Sequence, residues 1–232
     1  MPGPLEYSIW IICTLLEASV VVCSLLRRSF RRYFTLNLYM IASIATSVGR
    51  YLVLARNGIT SDEYTYFYYY SDAILTICLY FALMGLYSLV FEELGAATYV
   101  RAFSMLLLAG TALFSYGMIH QSENRMVTLY VIEMSQNLYF VGLVLTYVLW
   151  GAVLKMRETR ARVIQFVLSL GVYFSLYAAN YALGNIYPNL GHIWTYLPPL
   201  ISTLLPIAWC YAFLRFSEDA RLAPARLAVI QR

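Results

Sequence analysis

Four ionisable residues stand inside apolar stretches of a chain that is 61% hydrophobic and 12% charged: Glu17, Arg50, Asp72 and Glu133. A charged side chain at the centre of a membrane-spanning helix costs roughly 3 kcal/mol on insertion scales, so each needs a partner, a water-filled cavity or a function. An arginine and an aspartate on neighbouring helices can form an ion pair. A carboxylate left over can hold a proton or a cation. Hydroxyl and amide groups beside them can orient a small ligand by hydrogen bonds. The companions available here are Thr76, Tyr80, Asn137, Tyr177 and Asn180.

At about 100° per residue, Tyr69, Asp72, Thr76, Tyr80 and Tyr87 share one face of a helix. Ser43, Thr46, Ser47 and Arg50 share another, as do Tyr130, Glu133, Asn137 and Tyr147, and Tyr173, Tyr177 and Asn180. These stripes are expected to face inward, because carboxylates and phenols find no partner in lipid. The candidate ligand-binding set is Arg50, Asp72, Thr76, Tyr80, Glu133, Asn137, Tyr177 and Asn180, with Glu17 as a candidate proton site. A bland alternative carries comparable weight: Arg50 pairs with Asp72, and the network only fixes helix register.

The elements that position these residues are seven long apolar runs. Runs of about 20 apolar residues span a bilayer, and the charged fraction is half the roughly 25% of a soluble domain. Helices are expected at about 7–26, 34–55, 66–89, 102–119, 127–154, 163–184 and 195–216, forming one domain over 1–232 with a short polar tail at 217–232. The fold class is therefore all-α, a polytopic seven-helix bundle. Helix 1 is expected to be retained, since MPGPLE before it lacks a positive charge and RRSFRR follows it, the reverse of a cleavable signal. Thirteen Arg and Lys residues fall on one side of the bundle and two, Arg56 and Arg125, on the other, with Arg50 inside helix 2. The positive-inside rule then puts the N-terminus outside and the C-terminus inside. In helix 2, Ser43 and Ser47, and likewise Ala45 and Gly49, are four apart, a spacing that lets helices approach closely in lipid.

Other features exclude more than they assign. Cys13, Cys23, Cys78 and Cys210 all lie in apolar runs, and the packing role of such cysteines is favoured over a disulfide or zinc site. His120 and His192 lack a partner at metal spacing, so no metal site and no cofactor is expected. Tyr64, Tyr66, Tyr68 and Tyr70 suit an interfacial aromatic belt. Glu92-Glu93 is expected to meet Arg27, Arg28 or Arg101. The basic residues sit in short loops, which argues against nucleic acid as a partner. Helices 1–3 and 5–7 share a basic connection and an acidic end, a pattern compatible with a three-plus-one-plus-three repeat, although residue matches between the halves are few.

No known catalytic constellation is present, so an enzyme is not expected. Helix 7 has no lysine for a retinal Schiff base. Phe91-Glu92-Glu93 stands where seven-helix receptors of eukaryotes carry Asp-Arg-Tyr, and the kinking prolines of sugar transporters are missing from helices 1 and 5. The intramembrane proteases and seven-helix zinc hydrolases need histidines within helices. The segments RRSFRRYFTLNLY, YFYYYSDAIL, VFEE, IEMSQNLYFV and SLGVYFSLYA instead resemble a family of bacterial seven-helix membrane proteins without an assigned activity. That family carries Glu at the position of Asp72, and often an Arg where this chain has Gln136-Asn137, which leaves Glu133 without a local partner. The resemblance implies a bacterial inner-membrane location. The functional expectation is a receptor-like or accessory subunit with an outward-facing aromatic and polar pocket, and the alternative is a small-solute or proton-coupled carrier using the buried carboxylates. Expected partners are the bilayer, a small-molecule ligand, and a membrane-protein partner or a second copy.

Overall fold

The computed structural model describes residues 4–91, 97–119, 126–155, 159–187, 191–217 and 221–222. Seven α-helices lie among them: α1 (Pro4–Leu26), α2 (Phe34–Asn57), α3 (Asp62–Val90), α4 (Ala97–Ile119), α5 (Met126–Lys155), α6 (Ala161–Ile186) and α7 (Gly191–Arg215). Six are long and apolar enough to cross a membrane, and α4 supplies a shorter apolar stretch, Ala102–Gly117. The 23 residues of α4 still extend about 34 Å at 1.5 Å per residue, enough to cross a hydrocarbon core of about 30 Å. The chain is thus an all-α bundle of the kind expected of a polytopic membrane protein.

The helices run past the apolar segments at several ends, because backbone hydrogen bonding continues where apolar sequence stops. The clearest case is α3, which begins at Asp62 rather than near Tyr66. Ser61 caps it, accepting a hydrogen bond from the Tyr64 N–H at 3.1 Å, and Asp62 and Glu63 sit in the first turn, where negative charge complements the helix dipole. Gly58 ends α2 with φ 83°, a backbone state that suits glycine.

Helix α3 is the hub. It packs against α2, α4, α5 and α6, while α1 bridges α2 and α7, and α4 lies on the outside against α3 and α5. Small residues set the closest approaches. A Cβ at Gly49 would meet the Phe67 ring at 2.6 Å, one at Gly85 would collide with Thr35, and one at Gly142 would collide with Phe174. The Gly49 contact fits the small-residue reading of helix 2, although Ala45 is exposed. Three tyrosine and tryptophan side chains cross-link the helices: Tyr80 donates to the Ser104 carbonyl of α4 at 2.7 Å, Tyr87 to the Leu145 carbonyl of α5 at 2.6 Å, and Trp209 of α7 to Ser169 of α6 at 2.9 Å.

The end of the bundle that holds the α1–α2 turn is rich in arginine, and two of these close the C-terminus of α7. Arg27 donates to the Leu214 carbonyl at 2.9 Å. Arg162, only 2% exposed, donates to the Phe216 carbonyl through Nε at 3.1 Å and Nη2 at 2.5 Å, and to Ser29 Oγ at 3.0 Å. Positive charge on orphan carbonyls is the favourable sense of the helix dipole. A two-residue antiparallel pairing of β1 (Thr159–Arg160) with β2 (Arg221–Leu222) joins the tail to the α5–α6 connection, an addition that the polar composition of the tail did not suggest. Glu92, Glu93, His120, Glu218, Asp219, residues 223–232 and the side chains of Arg101 and His192 lie outside the described residues, and with them the expected acidic pairing.

Candidate functional site

Arg50, about two turns before the C-terminal end of α2, reaches across to α3. Its Nε donates to Ser71 Oγ at 2.9 Å and its Nη2 to the Tyr68 carbonyl at 3.2 Å. The guanidinium carbon lies 4.3 Å from the centroid of the Tyr68 ring, a cation–π contact. Only then comes Asp72, whose Oδ1 is 4.0 Å from Nη2. That is a long, single contact rather than a bidentate pair. The Asp72 side chain keeps 30% exposure, so its carboxylate retains acceptor capacity. Tyr68, read in sequence as a belt residue with Tyr64, Tyr66 and Tyr70, is exposed like Tyr66 and Tyr70, as a belt requires, and its ring and carbonyl also hold the site's arginine.

Tyrosines from three other helices lie within electrostatic reach of Asp72. Tyr181 of α6 is within electrostatic reach of Asp72, Tyr68 and Tyr69. Tyr139 of α5 and Tyr177 of α6 interact with Asp72 in the same way, and so does Tyr39 of α2. Tyr139 and Tyr177 stack with ring centroids 4.8 Å apart and planes 4° apart. Tyr173 lies 4.7 Å from Tyr177, and Tyr181 lies 5.7 Å from Tyr139. The spacing of Tyr173, Tyr177 and Tyr181 at i, i+4 and i+8 builds this column on one side of α6. Tyr39 and Tyr173 close its inner end, their hydroxyls 3.5 Å apart.

A second polar group sits two turns further along α2. Ser43 donates to Glu17 Oε1 at 2.6 Å. Glu17 is 8% exposed and its Oε2 has no hydrogen-bond partner among the described residues. Arg50 is the cation within electrostatic reach of Glu17. Among the described residues the ion pair of that guanidinium is with Asp72.

The sequence-derived set separates in space. Arg50 and Asp72 meet, and Tyr177 joins them from α6. Thr76 lies one turn along from Asp72, buried, and its hydroxyl bonds the Asp72 carbonyl at 2.9 Å. Tyr80 is spent on α4, as described. Asn137 also turns to α4, donating to Ser115 Oγ at 3.0 Å, and Tyr130 on the same face meets Tyr116 of α4. Glu133, half-buried, shares that face by spacing, whereas Tyr139 projects about 180° from Tyr130 at 100° per residue. Tyr147, expected inside, is 54% exposed; its hydroxyl lies 3.3 Å from Ser175 at the bundle surface. Asn180 is buried with its amide oxygen unpaired among the described residues. The cysteines are free, and among the described residues no cluster of three His, Cys, Asp or Glu could hold a metal.

No family model, no curated protein and no solved structure matches this chain. The family resemblance of its motifs thus gains no support, and the statement that stands is the coarser one: a seven-helix protein with six membrane-span candidates.

Proposed function

We infer that the chain is a multi-pass protein of a bacterial inner membrane, N-terminus outside and C-terminus inside, with all seven helices crossing. It acts without catalysis, as a receptor-like or accessory subunit, and the Arg50–Asp72 cluster is its outward-facing ligand site. The observation that carries this is the incomplete satisfaction of Asp72: its one arginine partner among the described residues stands 4.0 Å away and spends its shorter bonds on Ser71 and Tyr68. A pair that merely locked helix register would be expected to close to bidentate contact. Short loops leave no room for an output domain between helices, so a signal would pass through a partner in the membrane. The test is thermal unfolding of the purified protein across a panel of small polar solutes, since a ligand of the native state raises the midpoint. A saturable shift that Arg50→Ala or Asp72→Asn abolishes supports the site. Absence of any shift across amines, amino acids, sugars and carboxylates opposes it.

A carrier is the second reading, favoured by Glu17, which bonds Ser43 two turns from Arg50 on α2 and has its other oxygen unpaired among the described residues. It predicts solute or proton flux in proteoliposomes that falls with Asp72→Asn, Glu17→Gln or Glu133→Gln. Flux equal to that of empty liposomes removes it.

A further inference from the structure

We propose that the site takes an organic ammonium group, which docks on the Asp72 carboxylate among the rings of Tyr68, Tyr69 and Tyr181. This deepens the ligand-site reading and rests on it. The first argument is charge. Arg50 is the cation paired with Asp72 among the described residues, and it gives its shorter bonds to Ser71 and Tyr68, so the charge of the Asp72 carboxylate is only partly compensated. The second is geometry. Arg50 approaches Asp72 only to 4.0 Å, and the carboxylate is partly exposed, so a second cation can approach it without breaking a short bond. The third is the lining. The Tyr68 ring already carries a cation, the Arg50 guanidinium, at 4.3 Å; the Tyr69 ring lies 5.7 Å from the Tyr68 ring, three residues before Asp72 on the same helix, and Tyr181 of α6 is within electrostatic reach of Asp72, Tyr68 and Tyr69. Aromatic faces around one acid are the chemistry that recognises alkylated ammonium. A bare metal ion would need an oxygen cage, and among the described residues no group of three metal-ligating side chains provides one.

Choline and its neutral isostere 3,3-dimethylbutan-1-ol separate charge from shape. In detergent-purified full-length protein at constant ionic strength, choline is expected to raise the unfolding midpoint saturably, with apparent affinity at least tenfold above that of the isostere. Asp72→Asn is expected to remove the choline shift, and Arg50→Gln to keep or strengthen it, because the competing resident cation is gone. Equal responses to choline and the isostere overturn the proposal. So does a choline shift that survives Asp72→Asn, or one that Arg50→Gln abolishes. If Asp72→Asn does not fold, the wild-type comparison with the isostere decides alone. Acetate distinguishes the two levels of the argument. An Arg50-dependent acetate shift without a choline shift overturns the ammonium and leaves the ligand site. No shift with either overturns the ammonium, and with a Tyr181→Cys variant closed to water-soluble thiol reagents it overturns the ligand site as well.

Discussion

At the residue scale, the molecule depends on a few polar side chains that are only partly satisfied. Among the described residues Glu17 has one hydrogen-bond donor, Ser43. Removing that donor leaves a buried carboxyl with neither oxygen bonded, and an orphaned buried polar group costs about 1–3 kcal/mol. Ser43→Ala is therefore expected to lower the thermal midpoint, and Ser43→Ala with Glu17→Leu to cost less than the two single changes added. Unfolding of the four proteins of this double-mutant cycle checks it; simple additivity would mean that the contact carries no coupling. Part of this was readable from the chain. An aspartate in a tyrosine-rich apolar helix, with Thr76 and Tyr80 on its face, identified the buried stripe of α3, where Thr76 and Tyr80 are each 1% exposed. Tyr68 and Ser71 were not, because a helical-wheel argument ranks residues by face and cannot see that an arginine from α2 will lie across them. Tyr181 could have been found, since it extends the Tyr173 and Tyr177 series by one more interval of four.

At the element scale, rotation of a helix about its axis decides which of its two polar faces matters. Helix α5 has one, with Tyr130, Glu133 and Asn137, that turns to α4, and another, with Tyr139, that turns to the Asp72 cluster. Sequence periodicity shows that both faces exist and cannot choose between them, because the choice is made by packing against α3, α4 and α6. A helix end and a helix–helix contact make two further predictions. The α1 terminus closes as a Schellman motif, Ser29 N–H to the Ser24 carbonyl at 3.0 Å and Arg28 N–H to the Leu25 carbonyl at 2.9 Å. Its left-handed position is held by Arg28 at φ 53°, a conformation that costs a non-glycine residue roughly 1 kcal/mol. Arg28→Gly is expected to raise stability by about that amount, read as a higher unfolding midpoint; a lower one would show that the arginine side chain outweighs the strain. Gly49→Ala should act the other way. Its added methyl meets the Phe67 ring, and overpacking of this kind costs about 1–3 kcal/mol.

At the scale of the whole molecule, the arginines that imply orientation also build one end of the bundle. Arg162 looks in sequence like one more cytoplasmic charge in KMRETRAR, yet it is buried and holds α6, the α1–α2 turn and the end of α7 together. Three charge-assisted bonds at about 1.5–3 kcal/mol each, allowing for solvent replacing some of them, put the cost of Arg162→Ala at about 3 kcal/mol. Thermal unfolding and the yield of monodisperse protein check this; a variant as stable as wild type would show that the clasp is dispensable. The overall bundle was legible because apolar length and basic loops are properties of the composition itself. The clasp and the β1–β2 pairing were not, since both join segments more than fifty residues apart.

The central claim is that the Asp72 cluster opens to the outside of the membrane, and one measurement addresses it most directly. In a chain with Cys13, Cys23, Cys78 and Cys210 changed to alanine, Tyr181→Cys is exposed in right-side-out vesicles to a membrane-impermeant, cationic thiol reagent. The account predicts rapid modification from the outside, slowed by Asp72→Asn, which removes the charge that attracts the reagent. Modification only in inverted vesicles, or only after detergent opens the bundle, would contradict it.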